Sequence, residues 1–299
     1  MHSVFLHACN MEWDSGELIT LLAPRSGKLP HGIRCASQFA PLRDRLRRGQ
    51  AATLERGILR VPGAQFMVDL SRAAIWDGSV VAFPGLCGAQ SLPALGVLRE
   101  LLSVHALELG IAPVLLRARR PHSMLEHALA ARMAEALPML ARATETNDAP
   151  AVNRALSALV GLGAGLTPAG DDFIVGYLAA LWSRSRRERR IGTLLRELDS
   201  RLGQLSLHTN AVSRQLLLDA VHGQFAERLA EAVRCICCGG DVAGATLRAL
   251  EVGHSSGADT LCGLLFGYAP LQGAGPVRAS ATGFHFHVRY AAHAATSVS

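Results

Sequence analysis

The spacing of the apolar residues changes near residue 90, and this change limits the folds that the chain can adopt. Upstream, Phe66, Val68 and Leu70 alternate with polar residues at 65, 69 and 71, which is the period of a half-buried strand. From residue 92 onwards, apolar residues recur at spacings of three and four, which is the period of amphipathic helices. Strands followed by a run of helices indicate the α+β class.

The same patterns predict how the chain is divided. We expect a small β-rich domain over residues 1–88, built as an antiparallel sheet or barrel, with further strands at 17–23 and 32–39. A larger helical ligand-binding domain is expected over residues 89–275, with eight or nine helices between 92 and 270. Residues 276–299 are predicted to contain a last strand at 283–290 and a frayed tail.

Composition argues against several classes of function. The formal charge is +6, and arginine residues cluster at 43–48, 117–120 and 183–190. Because no aromatic residues are interleaved with these clusters, the composition argues against nucleic-acid binding. No segment has 18 uncharged apolar residues, so we expect no membrane span. The seven cysteines lack the regular spacing of a disulfide framework, and the first residues do not have the pattern of a secretory leader. These features predict a cytoplasmic protein.

The stretch GLGAGLTPAGDD, residues 161–172, has the features of a helix start that holds a ligand. Thr167 suits the cap and Pro168 the first helical position, while the glycines allow backbone N–H groups to approach an anion. Asp171 and Asp172 would repel that anion unless a cation such as Mg²⁺ lies between them. The alternative is that one aspartate caps the helix and the other is solvated.

A second segment matches the first without a gap. GADTLCGL, residues 257–264, aligns with GDDFIVGY, residues 170–177, so Asp259 occupies the place of Asp172. Gly263 corresponds to Gly176, and glycines at these positions would let two helices cross closely. Ser256 and Asp259 also have the spacing of a capping box. Two such helix starts facing one pocket would surround a small anion or its metal; simple helix packing is the alternative.

Other clusters are weaker candidates. His285 and His287 would share one face of a strand, but no third ligand is nearby, which favours an ordinary surface strand. The cysteines at 235, 237 and 238 lack a second pair at zinc-like spacing and are predicted to be core or exposed thiols. No nucleophile elbow, Walker loop or dinucleotide fingerprint is present.

Residues 161–176, GLGAGLTPAGDDFIVG, resemble the signature of the bacterial family typified by AllH, a subunit of oxamate carbamoyltransferase. GHSSGADTLCG resembles a second block of that family, and HTNAVS, residues 208–213, is similar to a third in which a Thr and a Ser recur. The resemblance extends from the β-rich start to about residue 268. Ala164 and Ala169 depart from it, because Pro and Ser are usual at these positions.

The resemblance implies phosphorolysis of oxalurate to oxamate and carbamoyl phosphate, or the reverse, by a complex of several subunits. It therefore implies a small anionic substrate, such as phosphate, carbamoyl phosphate or an oxamate-like acid, and other subunits as partners. The alternative is a non-catalytic assembly or allosteric subunit of a metabolic enzyme.

Combining motifs and resemblance, we assign Asp172 and Asp259 as catalytic residues and Asp171, Asp172 and Asp259 as candidate Mg²⁺ ligands. Capping alone would also explain Thr209 or Asn210. The predicted substrate or phosphate contacts are Gly163, Gly165, Thr167, Gly170, Thr209, Asn210, Ser213, His254, Ser255, Ser256 and Gly257.

Overall fold

The structure is a computed structural model. It describes residues 1–36, 41–80, 91–105, 110–116 and 121–269, together with two short strands at 279–280 and 283–284. Small sheets between residues 3 and 69 precede a mostly helical region between residues 92 and 267, which confirms the α+β class. We call these two parts the N-terminal region and the helical region.

The N-terminal region contains two sheets around one core. The first has the order β1-β2-β3-β4 and the second the order β5-β6-β7. The core between them includes Cys9, Leu21, Leu59 and Phe66. The elements are β1 (Ser3–Val4), β2 (Ala8–Glu12), β3 (Leu18–Leu22), β4 (Gly32–Arg34), α1 (Leu42–Arg45), β5 (Thr53–Glu55), β6 (Ile58–Val61) and β7 (Phe66–Asp69).

The prediction of a single antiparallel sheet or barrel is wrong in two respects. The strands form two separate sheets, and β3 pairs with β4 in parallel, with Leu21 opposite Ile33. The connection at residues 23–31 returns the chain to the beginning of β3, so that β4 runs in the same direction. Apolar periodicity does not show whether two strands pair in parallel or antiparallel.

The helical region contains every helix that the periodicity predicts, and one more that is only four residues long, among the residues described. These helices are α2 (Leu92–His105), α3 (Ala112–Leu115), α4 (Met124–Glu145), α5 (Ala149–Ser157), α6 (Ala169–Ser185), α7 (Arg189–Leu205), α8 (Ala211–Val221), α9 (Glu227–Cys238), α10 (Val242–Leu250) and α11 (Ser256–Gly267). Helix α3 escaped the prediction because four residues do not display a helical period.

Helices α6 and α11 form the centre of this region. Both are apolar on nearly all sides, as buried helices are. They touch through backbone, because a Cβ on Gly176 would clash with the Thr260 carbonyl and a Cβ on Gly263 would clash with the Phe173 carbonyl. The structure therefore shows the close crossing that the two glycines predicted.

Several predicted features fall outside this centre. Only Gly283–Phe284 of the predicted last strand is described, and it pairs with Ala279–Ser280. His285 and His287 lie outside the described residues, as does the basic cluster at 117–120. None of the helices that the structure describes is both long and apolar enough to span a membrane. The six cysteines at described positions are free thiols.

Candidate functional site

The two aligned segments come together at one end of a parallel helix pair. The starts of α6 and α11 meet where the Thr167 and Ser256 hydroxyls hydrogen-bond at 2.7 Å. Towards the other end, a Cβ on Gly267 would clash with the side chain of Ala180. Contact between equivalent positions at both ends means that the helices run side by side in the same direction. The positive ends of their dipoles therefore lie together.

The glycine stretch forms an irregular loop before α6. Gly163 and Gly165 have φ values of 113° and 111°, which side chains rarely adopt. Helix α6 begins at Ala169 with Pro168 at the cap position, one residue later than predicted. The expected Thr167 cap is not made, because that hydroxyl bonds to Ser256 instead. The loop is thus tied to the start of α11.

Asp171 links two segments of the site through hydrogen bonds. Its Oδ1 accepts the Gly161 N–H at 2.8 Å and its Oδ2 accepts the Thr209 hydroxyl, so the carboxyl joins the glycine loop to the segment before α8. Burial raises its pKa, and these hydrogen bonds, with the nearby Ser213 hydroxyl, oppose the rise. Both oxygens are occupied by the chain itself.

Asp172 has a different environment although it is the next residue. The side chain is 5% exposed, and its Oδ2 is buried with no hydrogen-bond partner among the described residues. Burial is the main cause that raises its pKa to about 8. The nearby carboxyls of Asp259 and Asp171 act in the same direction, while the Ser256 and Thr167 hydroxyls oppose it. At neutral pH the carboxyl therefore carries a proton.

Asp259 is the counterpart of Asp172 on α11; the chain bonds one of its oxygens, and the other, Oδ2, is buried without a hydrogen-bond partner among the described residues. Its Oδ1 accepts the Ile111 N–H, and burial raises its pKa to about 7. Gly110, with φ of 79°, leaves no room for a Cβ beside this carboxyl. The predicted capping box is absent, because Ser255 stands at the cap position and makes no side-chain cap bond.

The three aspartates do not form a metal site. No group of three His, Cys, Asp or Glu side chains within the described part of the chain is placed to hold a metal ion. Asp171 is turned to Gly161 and Thr209, and Asp259 is turned to Ile111. Because both oxygens of Asp171 are already bonded within the chain, the donor set that we predicted for Mg²⁺ does not fit that ion.

A cavity of about 410 Å³ opens beside Asp172, and we call it the Asp172 cavity. Its size is in the range of small-molecule sites. Leu29 and Pro30 of the N-terminal region line it together with Val175, Leu216 and Phe225 of the helical region. Asp259 does not line it.

The polar lining of the Asp172 cavity comes from several helices. Thr167, Asp172 and Ser256 contribute it from the paired helix starts. Asp219 from α8 and Arg228 from α9 also line it, and neither was predicted from the sequence. No motif surrounds these two residues, and an acidic or basic residue at a helix end is common, so sequence alone carried no signal for them.

Several other predicted residues cap a helix, pack against backbone or lie at the surface. Asn210 caps α8, accepting the N–H groups of Val212 and Ser213, and His254 is exposed. Gly170 and Gly257 pack against backbone, because a Cβ would clash with the carbonyls of Leu159 and Ala249. These two glycines are therefore explained by close packing, at equivalent places in the two segments.

A second cavity, of about 560 Å³, lies between the start of α2 and the turn after α9. Cys238 and Asp241 line it, but it contains no buried polar atom without a partner among the residues described. None of the predicted site residues lines it. The Asp172 cavity is the better candidate because it combines a buried carboxyl that has one unpartnered oxygen with an apolar lining.

The fold and site define an α+β protein with a cavity of small-molecule size, lined by residues of a β-rich region and a helical region. A family model described as oxamate carbamoyltransferase subunit AllH matches residues 159–268, and one described as the AllH family N-terminal domain matches residues 1–75. Together these matches cover more than half of the chain, and the chain belongs to the AllH family. No solved structure matches it.

Proposed function

We propose that this chain is the subunit of an oxamate carbamoyltransferase that binds the carbamoyl-bearing substrate in the Asp172 cavity. The observation that carries the proposal is the Asp172 carboxyl, which lines the cavity, is almost fully buried and has an oxygen without a partner. Leaving a buried polar atom unpaired costs about 1–3 kcal/mol, and a ligand that pairs with it recovers that free energy. The family description, which is that of a subunit, supports the assignment to such a complex.

A protonated carboxyl is complementary to a carbamoyl group. The O–H donates to the carbamoyl oxygen while the carbonyl oxygen accepts a carbamoyl N–H, so both ends of the group are recognised at once. Asp259 gives an internal precedent, because at the equivalent place on α11 it accepts a peptide N–H from Ile111. In this proposal the substrate supplies to Asp172 the N–H that Ile111 supplies to Asp259. Asp259 is then a structural residue.

The glycine loop is the proposed phosphate site. The N–H groups of Gly170, Asp171 and Asp172 already donate to the Leu162 and Pro168 carbonyls. By contrast, the N–H groups of residues 163–167 donate no backbone hydrogen bond to any described residue. They lie at the positive ends of two parallel helices, where an anion is favoured. Thr167 links this loop to the cavity, so both substrates could meet there.

The test is the rate of the complex purified through a tag on this chain, with oxalurate and phosphate as substrates. Asp172→Ala removes both hydrogen bonds, and we expect kcat/KM to fall roughly 100-fold, which corresponds to about 2.7 kcal/mol. Asp172→Asn keeps one donor and one acceptor, so we expect it to retain part of the lost rate. Asp44→Asn, at an exposed position on α1, is the matched control.

Two outcomes bear on the proposal, and a third bears on the assay. An undiminished rate in Asp172→Ala would end it and would favour a non-catalytic assembly subunit. Equal losses in the Ala and Asn variants would mean that the reaction needs the charge of the carboxylate. This would contradict pairing of a protonated carboxyl with a neutral carbamoyl group. A fall in the Asp44→Asn control would show that the assay reports general damage.

A further inference from the structure

Asp219 is a second carboxyl in the Asp172 cavity, and it differs from Asp172 in having a partner that can exchange protons. It lies on α8, is 5% exposed and lines the cavity. Its Oδ1 lies 2.6 Å from Nδ1 of His31 and accepts a hydrogen bond from Nε2 of Gln215 at 3.0 Å. Both contacts use the same oxygen of the carboxyl.

His31 connects this carboxyl to solvent. Its side chain is 45% exposed, and it lies in the N-terminal region directly before β4. The separation of 2.6 Å between Nδ1 and Oδ1 is that of a hydrogen bond, and Nε2 of Gln215 lies 3.1 Å from the same Nδ1. Gln215 links Asp219 to the N-terminal region, because its Oε1 accepts the Leu18 N–H while its Nε2 donates to Asp219. The cluster therefore bridges the two regions of the molecule at the cavity.

The titratable and charged groups around Asp219 come from the segment before β4, the end of α8, and helices α6, α7 and α9. His31 and His222 favour its ionised form, and burial opposes it, with the net result that the pKa of Asp219 is raised. Asp172 and Arg228 line the same cavity from α6 and α9. His222 in turn faces Asp199 of α7 at 3.6 Å. Two histidines thus favour the ionised form of Asp219, whereas the side chains that act on the pKa of Asp172 are hydroxyls and carboxyls.

We propose that Asp219 is the acid–base residue of the Asp172 cavity and that His31 and Gln215 position it. This inference rests on the proposed function, because the reaction requires a proton to move. The C–N bond of the ureido group breaks and a C–O bond to phosphate forms. The phosphate hydroxyl loses one proton and the departing amide nitrogen gains one. Asp219 accepts the first proton and returns it to nitrogen, so atoms and charge balance.

The division of labour follows from the two environments. A neutral carboxyl with no cation beside it can orient a carbamoyl group, and a carboxyl that is hydrogen-bonded to an imidazole can transfer a proton. Different surroundings for two carboxyls in one site are the usual basis for such separate roles.

The test compares rate with binding in the tagged complex. In Asp219→Asn the side chain keeps its shape and an acceptor for Gln215 but cannot take up a proton. We expect kcat to fall at least about 100-fold while oxalurate still stabilises the chain against thermal unfolding as in the wild type. Asp44→Asn is again the control. His31→Gln provides a second readout, because losing the ring that favours the ionised form of Asp219 raises the pKa of this carboxyl and moves the acid limb of the pH–kcat profile to higher pH.

Several results would overturn the inference. One is a kcat in Asp219→Asn within twofold of the wild type; another is a loss of oxalurate binding large enough to explain the lower rate. If Asp219→Asn does not fold, an unmoved acid limb in His31→Gln would overturn it instead. If Asp172→Ala abolishes binding while Asp219→Asn keeps its rate, only this inference fails. If no substrate stabilises the wild type, the proposed function fails as well.

Discussion

Asp172 and Asp259 are buried without a cation, and this sets how stability depends on pH. Their pKa values of about 8 and 7 lie well above the usual value near 4 that applies to the unfolded chain. Between about pH 4 and 8 the folded chain therefore holds protons that the unfolded chain releases. The stability that these two carboxyls contribute is fully present below pH 4. It falls as pH rises through this window, by up to about 1.4 kcal/mol per pH unit for each carboxyl.

Asp172→Asn removes one of these ionisations. We expect its free energy of unfolding, measured by urea titration at pH 5, 6, 7 and 8, to rise relative to the wild type as pH increases. Asp259 remains, so the decline becomes shallower without disappearing. The surface variant Asp44→Asn should give a curve parallel to that of the wild type. A parallel curve for Asp172→Asn would contradict the raised pKa.

At the scale of single residues, the sequence singled out Asp172 as a site candidate but did not show its surroundings. The alignment of the two Gly-x-Asp segments identified both carboxyls. It could not show that Asp171 accepts hydrogen bonds from Gly161 and Thr209. Nor could it show that Asp259 accepts the Ile111 N–H, because the alignment gives no information on such contacts. Asp219 and His31, 188 positions apart by their residue numbers, meet only in the folded chain.

At the scale of elements, the parallel pair α6 and α11 depends on glycine. A Cβ at Gly176 or Gly263 would meet a carbonyl of the other helix, and a carbonyl cannot move without displacing its helix. This pair holds the two helix starts together at Thr167 and Ser256. The geometry of the site is thus a consequence of helix packing one turn away.

Gly176→Ala and Gly263→Ala should each lower the free energy of unfolding by about 3 kcal/mol or more, because overpacking here cannot be relieved by a side-chain rotation. Gly203→Ala on α7 is the matched control, since a Cβ there has no neighbour within 4 Å. That control should stabilise the chain by about 0.5–1 kcal/mol, the usual gain for Gly→Ala in a helix. Equal effects at all three positions, measured by urea unfolding, would refute the close crossing.

The helices were also the part of the fold that sequence predicted best. Their 3.6-residue period is a local property, and the structure contains a helix in each segment where the periodicity predicted one. The sheets were predicted less well, because strand pairing depends on partners distant in the chain. The parallel pairing of β3 with β4 is such a case.

At the scale of the whole molecule, the cavity belongs to both regions. Leu29 and Pro30 line it, and beside them Lys28 pairs with Glu227 of α9 at 3.2 Å. Burial raises the pKa of Glu227, but hydrogen bonds from Lys28 and the charges of Lys28 and Arg34 outweigh it, so the net shift is downward. The two family models match one region each. We infer that neither region alone would form the site.

The most direct test of this account is isothermal titration calorimetry of the purified chain with oxalurate at pH 7 and pH 9. We expect binding by the wild type at pH 7, no measurable binding by Asp172→Ala, and weaker binding by the wild type at pH 9, where Asp172 is ionised and can no longer donate. Equal affinity in the wild type and Asp172→Ala, or no binding by the wild type at pH 7, would contradict a carbamoyl-binding site on this chain.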